Sequence, residues 1–142
     1  CTTLWNGPPW RPPPGQGDME VNDGSLVFRI RCDGQTVLLP GDISEVAQAA
    51  LTAQPEKIRA DVLVLPHHGN WRATLPAFVA AVAPKVVVVS SPDRPAATVK
   101  GGKAAEQFYG SLPNKYRYYL TCMNGYIRVR FGHGDVTVTT RR

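Results

Sequence analysis

The sequence contains no apolar run near the roughly 18 residues that a membrane-spanning helix needs. None of its 142 residues is therefore expected to cross a bilayer, and the piece is expected to be soluble. No succession of basic, apolar and small residues marks a signal peptide. The chain also opens on Cys1 rather than Met, so it is read as a fragment cut from a longer protein. Cysteine is scarce. Cys1, Cys32 and Cys122 are scattered, odd in number and free of CxxC spacing, which argues against both a disulfide framework and a zinc knuckle. No internal repeat appears, and the proline-rich start is the single biased tract. Acidic residues are few in the C-terminal part: residues 94–142 hold 2 against 9 basic, while residues 1–93 hold 9 acidic and 7 basic.

What is present is globular composition, 43% hydrophobic and 19% charged, at a length that fits one domain or part of one. The net charge of +5 is concentrated in the C-terminal part. Such a surface raises the local concentration of phosphate-bearing partners. A merely solvated basic face would give the same count.

The opening "WNGPPWRPPPGQGD" is too rich in proline and glycine for a helix or a central strand, and residues 1–20 are expected to form a loop. From Ser25 the texture changes. "SLVFRIR" and "TVLL" are β-rich runs joined at Asp33-Gly34, a hairpin signal. "GDISEVAQAALTAQP" predicts a helix with Ser44 available as N-cap and Pro55 beyond its end. "ADVLVL" predicts a buried strand, "TLPAFVAAVAP" a helix stopped by Pro84, and "KVVVVSS" a second buried strand. Strand, helix, strand in this rhythm implies a parallel crossover unit. A further helix around Lys103 to Ser111 leads to "KYRYYLT", and "GYIRVRF" with "DVTVTT" predicts a terminal hairpin around "GHGD". The expectation is a single α/β unit over residues 1–142 with β-hairpins at both ends.

In open α/β sheets, functional groups collect at the carboxyl ends of strands. "TVLLPGDI" places Asp42 at one such end. "ADVLVLPHHG" places His67 and His68 at the next, with Gly69 letting the chain turn sharply. Asp and His are donors that a hard or borderline divalent ion prefers. An Asp after Gly is more often a turn or cap residue. Paired imidazoles after a buried strand are harder to explain structurally, because four ring nitrogens need partners. The same pair could also bind phosphate directly, without metal.

The order "NDGSLVFRIRCDGQTVLLPGDI", "ADVLVLPHHG", "FVAAVAPKVVVVSS", "YLTCMNGYIRV" resembles the C-terminal half of a metallo-β-lactamase-like αββα sandwich. Within that fold it is most similar to the soluble hydrolase domains of the ComEC family, membrane channel proteins of bacterial DNA uptake. The likeness covers most of residues 21 to 130. It implies that Asp42 bridges two divalent metal ions, zinc or manganese. It implies that one histidine of the pair is a ligand, here taken as His68, leaving His67 to contact the scissile phosphate or hold a proton. In the family a His usually stands about twenty residues before the bridging Asp, and here Asn22 holds that place. The ComEC-like subgroup carries Asn with Ser there, so Asn22 and Ser25 are the substrate-binding candidates.

The family's main ligand cluster, HxHxDH, does not occur in this sequence, and the third histidine, His133, lies apart in "GHGD". The resemblance places that cluster in a preceding half of the domain, so this piece alone is expected to hold no metal tightly and to turn nothing over. For the parent protein the resemblance implies metal-assisted hydrolysis of phosphodiester bonds in DNA, a membrane channel domain in the same chain, and a position on the extracytoplasmic face. Two other readings stand beside it: a small-molecule phosphodiesterase of the same fold, and a non-catalytic fragment binding nucleic acid through its basic C-terminal part. Tyr116, Tyr118 and Tyr119 could stack on bases, or could be a strand with one buried face.

Overall fold

The structure, a computed structural model, describes residues 2–5, 21–94, 102–132 and 134–142. Most of the expected N-terminal loop and His133 lie outside the described residues. Six strands form one mixed sheet in sequence order: β1 (Thr2–Trp5), β2 (Val27–Cys32), β3 (Gln35–Leu39), β4 (Val62–Val64), β5 (Val86–Val89) and β6 (Arg117–Leu120). The pairs β1/β2 and β2/β3 are antiparallel, and β3 through β6 run parallel. Helices α1 (Glu45–Thr52) and α2 (Pro55–Ile58) connect β3 to β4. Helix α3 (Leu75–Val82) connects β4 to β5, and α4 (Gly102–Lys115) leads into β6. A short helix, α5 (Thr121–Asn124), then delivers the chain to a separate antiparallel hairpin, β7 (Tyr126–Gly132) and β8 (Asp135–Arg141).

Strand alternation decides the layering, because successive side chains point to opposite faces. Leu38, Leu63, Val87 and Val89 turn to one face, where they meet Ala47 and Leu51 of α1, Phe78 and Val82 of α3, and Ala105 and Leu112 of α4. Val62, Val86 and Val88 turn to the other, where Val136 and the half-buried Ile127, Val129 and Phe131 of the hairpin cover them. The result is a three-layer α/β arrangement, with helices over one face of the mixed sheet and the hairpin over the other. Phe78 is fully buried at the centre of the helix layer, and burial of that kind contributes roughly 2–3 kcal/mol per large side chain.

Several local expectations hold for the reasons given. Asp33 and Gly34 both take positive φ, 50° and 82°, the conformation a two-residue hairpin turn requires; Cys32 pairs with Gln35 across it. Helix α3 ends at Val82 with Ala83 as its C-cap, directly before Pro84. Tyr116 and Tyr118 pack against the helix-side core and Tyr119 against the hairpin-side core. Burial pushes the Tyr118 hydroxyl up to about 12. The tyrosine run is thus a packed strand and not an open stacking surface.

Three expectations are corrected. The N-terminal loop does not begin at residue 1: Thr2–Trp5 precede the first proline, carry β-branched and aromatic side chains, and add an edge strand to β2. Pro55 does not merely follow a helix; it opens α2, where its missing N–H costs nothing. Ser44 occupies the N-cap position of α1, but its side chain makes no capping bond. The cap comes from Asp23, 21 residues earlier, whose Oδ1 accepts the N–H of Ser44 at 2.8 Å and of Ala47 at 3.1 Å.

At the opposite edge of the sheet, Asp61 accepts the Thr36 N–H at 2.9 Å and pairs with the Lys85 ammonium at 2.8 Å. Partial burial pushes this carboxyl up. Lys85 and Thr36 together outweigh that and hold it below its ordinary value of 3.8.

Two outcomes follow for stability. Replacing the buried Asp23 with Ala orphans two helix N–H groups and should cost about 1–2 kcal/mol in urea unfolding; Asp23→Asn should cost less. Because the folded pKa of Asp61 lies below its unfolded one, its contribution is fully present above pH 3.8 and is lost as pH falls through the lower folded value. Urea midpoints measured below pH 3.8 should therefore decline less steeply in Asp61→Asn than in the parent sequence.

Candidate functional site

Strands β3 to β6 run parallel, so their carboxyl ends share one edge, and the loops leaving it carry Asp42, His67, His68, Ser90, Ser91 and Thr121. The turn after β4 is the most unusual piece of backbone. His67, His68 and Gly69 take φ of 50°, 54° and 74° in succession. The chain there makes one left-handed turn, which two residues bearing a β-carbon adopt only at a cost of about 1–2 kcal/mol each.

Neighbouring groups hold this turn from both sides. The His67 N–H donates to the Gly41 carbonyl at 3.0 Å, and the Asn70 N–H donates to the His67 carbonyl at 2.8 Å. From the helix layer, the Tyr109 hydroxyl donates to the Gly69 carbonyl. Tyr109 is itself buried and flanked by the rings of Trp71 and Phe108, and burial drives its pKa well above the usual phenol range.

The five residues singled out from sequence meet here as a connected group. The Asn22 side-chain amide lies 3.5 Å from His67 Nδ1. Ser25 Oγ accepts the Asp42 N–H at 3.3 Å. His68 Nε2 lies 3.8 Å from Asp42 Oδ1. Asn22 and Ser25 thus contact His67 and the Asp42 backbone.

The hydrogen bonds assign different protons to the two imidazoles. His68 Nδ1 lies 2.9 Å from the Ser90 carbonyl. A carbonyl only accepts, so Nδ1 carries a proton and donates it there, which leaves Nε2 as the nitrogen turned towards the Asp42 carboxylate. His67 is the reverse: with the Asn22 amide donating to Nδ1, its ring proton sits on Nε2. Burial lowers the His67 pKa below 6.5; Asp42 opposes the shift, and Arg72 and His68 add to it. His67 is therefore neutral at pH 7 with an N–H to offer.

A histidine anchored through one nitrogen to a carbonyl, with the other nitrogen free beside a carboxylate, is the arrangement that metal-binding histidines use. The 3.8 Å between His68 Nε2 and Asp42 Oδ1 is a span that one ion with bonds of about 2.0–2.2 Å can bridge. The donor chemistry of this edge therefore fits a divalent ion. Among the described residues, no group of three or more His, Cys, Asp and Glu side chains converges.

Beside His68 opens a cleft of about 370 Å³, lined also by Ser90, Ser91, Pro92, Thr121 and Cys122. Ser91 and Thr121 clasp each other across it: the Ser91 N–H donates to Thr121 Oγ1, and that hydroxyl donates to the Ser91 carbonyl, both at 2.8 Å. Sequence reasoning did not select Ser90, Thr121 or Tyr109. The "SS" that ends "KVVVVSS" is a third strand end on the same edge and was an available signal. Tyr109 had none, because a tyrosine on a helix face reads as core.

No family model matches the chain. A stretch of 70 residues, 49% of this chain, is 30% identical to ComE operon protein 3 of Bacillus subtilis (strain 168) and covers 9% of that protein's length. The chain thus bears a loose, partial likeness to a small part of a much longer protein. Among the described residues no helix is long and apolar enough to cross a membrane.

The Asp42 loop depends on Gly41, whose φ is 61° and whose missing β-carbon would lie 3.1 Å from Ser25 Cβ and 3.2 Å from the Leu26 carbonyl. Gly41→Ala should destabilise the fold by about 1–3 kcal/mol in urea unfolding. The amide resonances of Ser25, Asp42 and His67 should shift more than those of the β7–β8 hairpin.

Proposed function

We propose that this chain supplies the C-terminal portion of a metallo-β-lactamase-like hydrolase that cleaves phosphodiester bonds, with DNA passing through an uptake channel as its substrate. The observation that carries the reading is the divergent anchoring of the paired histidines beside Asp42. His68, held through Nδ1 by the Ser90 carbonyl, turns Nε2 towards the carboxylate, while His67 is held through Nδ1 by Asn22 and burial lowers its pKa. The layer order supports it as well, since helices, mixed sheet and a second small sheet are stacked as in one half of an αββα sandwich. The partial likeness to ComE operon protein 3 supports the link to DNA uptake. On that link, the domain belongs to a membrane protein and works on the extracytoplasmic face.

Asp42 and His68 would hold one edge of a pair of divalent ions, zinc or manganese, whose remaining ligands come from an HxHxDH segment preceding this one in the fold. Bound there, such ions supply a nucleophilic water near neutral pH and counter-charge for the phosphoryl oxygens. The chain's own residues do the rest. The Ser90 carbonyl fixes the ring plane of His68. Asn22 holds His67 so that its Nε2–H can donate a hydrogen bond to a phosphate oxygen. Ser91 and Thr121 join the two strand ends that wall the cleft beside His68.

In a protein that joins this chain to an HxHxDH segment, Asp42→Ala and His68→Ala should each lower metal-dependent DNA hydrolysis at least about 100-fold. His133→Ala should leave it unchanged. Full activity in Asp42→Ala would rule out the bridging role. The 142-residue chain alone should carry no tightly bound zinc or manganese, and stoichiometric metal in elemental analysis would overturn the division of ligands.

A further inference from the structure

The terminal hairpin has two chemically distinct faces. Its inner face is apolar and packs on the sheet. On its outer face the register sets Tyr126 opposite Arg141, Arg128 opposite Thr139, and Arg130 opposite Thr137. All six side chains are exposed. The face holds three guanidinium groups, two threonine hydroxyls, one tyrosine and, by the same alternation, one acid. The hairpin's acidic residue, Asp135, sits at the far end opposite Gly132, where its carboxylate accepts the Val136 N–H at 2.7 Å.

This pattern is not that of an edge protected against aggregation, for which lysine or mixed charge is the usual device. Arginine offers a planar fork that takes phosphate oxygens in pairs. Same-face residues on a strand recur at about 6.8 Å, so Arg128 and Arg130 can engage successive phosphates of an extended strand while the threonines opposite donate further bonds. Tyr126 is 58% exposed, unusual for a ring of its size, and has the Arg128 guanidinium 5.6 Å from its centroid. An anionic membrane would call for large aliphatic or aromatic side chains to insert; apart from Tyr126 this face has none.

The ribbon also leads to the cleft. Tyr126 begins β7 one residue after the short helix whose Thr121 and Cys122 line the cleft beside His68. At the same end Arg142 Nε donates to the Met123 carbonyl at 2.6 Å, tying the end of β8 to that helix. We propose that the outer face of β7–β8 binds the phosphodiester backbone of single-stranded DNA, with Tyr126 stacking on a base at the end nearest the cleft. The direction of travel into the cleft rests on the hydrolase reading above; binding by the ribbon does not.

The test is fluorescence anisotropy of a labelled oligothymidylate with the full chain in EDTA, titrated over a range of salt. Relative to the parent sequence, an Arg128→Ala, Arg130→Ala, Arg141→Ala triple variant should bind at least about tenfold more weakly. Its slope of log K against log salt should flatten by about 2, since each single-strand phosphate contact contributes about 0.7. Tyr126→Ala should lose about tenfold with the slope unchanged. Circular dichroism checks folding, and the single variant Arg130→Ala, with a slope change of about 0.7, serves if the triple variant unfolds. Equal affinity and slope in the arginine variants would overturn the proposal. So would a parent chain that ignores the oligonucleotide, including one that binds phosphatidylserine vesicles through the same arginines. The chelator keeps Asp42 and His68 out of the measurement, so oligonucleotide binding that persists while the metal-loaded protein joined to an HxHxDH segment hydrolyses no DNA would count against the hydrolase reading alone.

Discussion

The left-handed turn at the end of β4 is the constraint on which the site depends. Two consecutive histidines with positive φ are costly, and the surrounding structure offsets that cost with bonds from two layers. Gly41 fixes the turn from the neighbouring strand end and Tyr109 from the helix beneath. Each needs its own element in place first: β3 to present the Gly41 carbonyl, α4 to present a buried hydroxyl. The strained turn therefore forms only in the assembled fold. In exchange, adjacent residues send their imidazoles to different partners, His67 to Asn22 and His68 to Ser90 and Asp42.

That divergence matters because an adjacent pair in ordinary backbone would hold no fixed relation to the two strand ends on either side. Here the β5 end takes the Nδ1 proton of one histidine, and the segment before β2 feeds the Nδ1 of the other. The two rings thereby acquire different chemistry from the same side chain. The same segment before β2 also caps α1 through Asp23 and supports Asp42 through Ser25. Four residues, Asn22 to Ser25, thus tie a helix start, a carboxylate loop and a histidine into one unit.

Much of this was legible in the chain. The alternating valines of "VLV" and "VVVV" fixed two buried strands, Asp33-Gly34 fixed a hairpin, and Pro84 fixed a helix end, because each rests on local sterics or on the period of the strand. Asp42, His67 and His68 were legible as strand-end polar residues. The misreadings share a cause. Ser44 looked like the cap of α1 because capping is normally local, while the actual acceptor, Asp23, arrives from 21 residues away. Tyr109 looked like core and is core, yet its hydroxyl also supports the histidine turn.

The sequence by itself determined most of the strands and helices, their order, and which residue types stand at the strand ends, since hydrophobic period and turn chemistry act over a few residues. It also determined that the last hairpin would carry an apolar face and an arginine-rich one, because alternation in a strand admits no other outcome. Only the tertiary structure decided which partner each imidazole Nδ1 meets and which acceptor caps α1. It alone decided that the arginine-rich face begins beside the cleft. Those are relations between groups distant in the chain, and the partner of a ring nitrogen or a helix N–H exists only once packing has brought it within hydrogen-bonding reach.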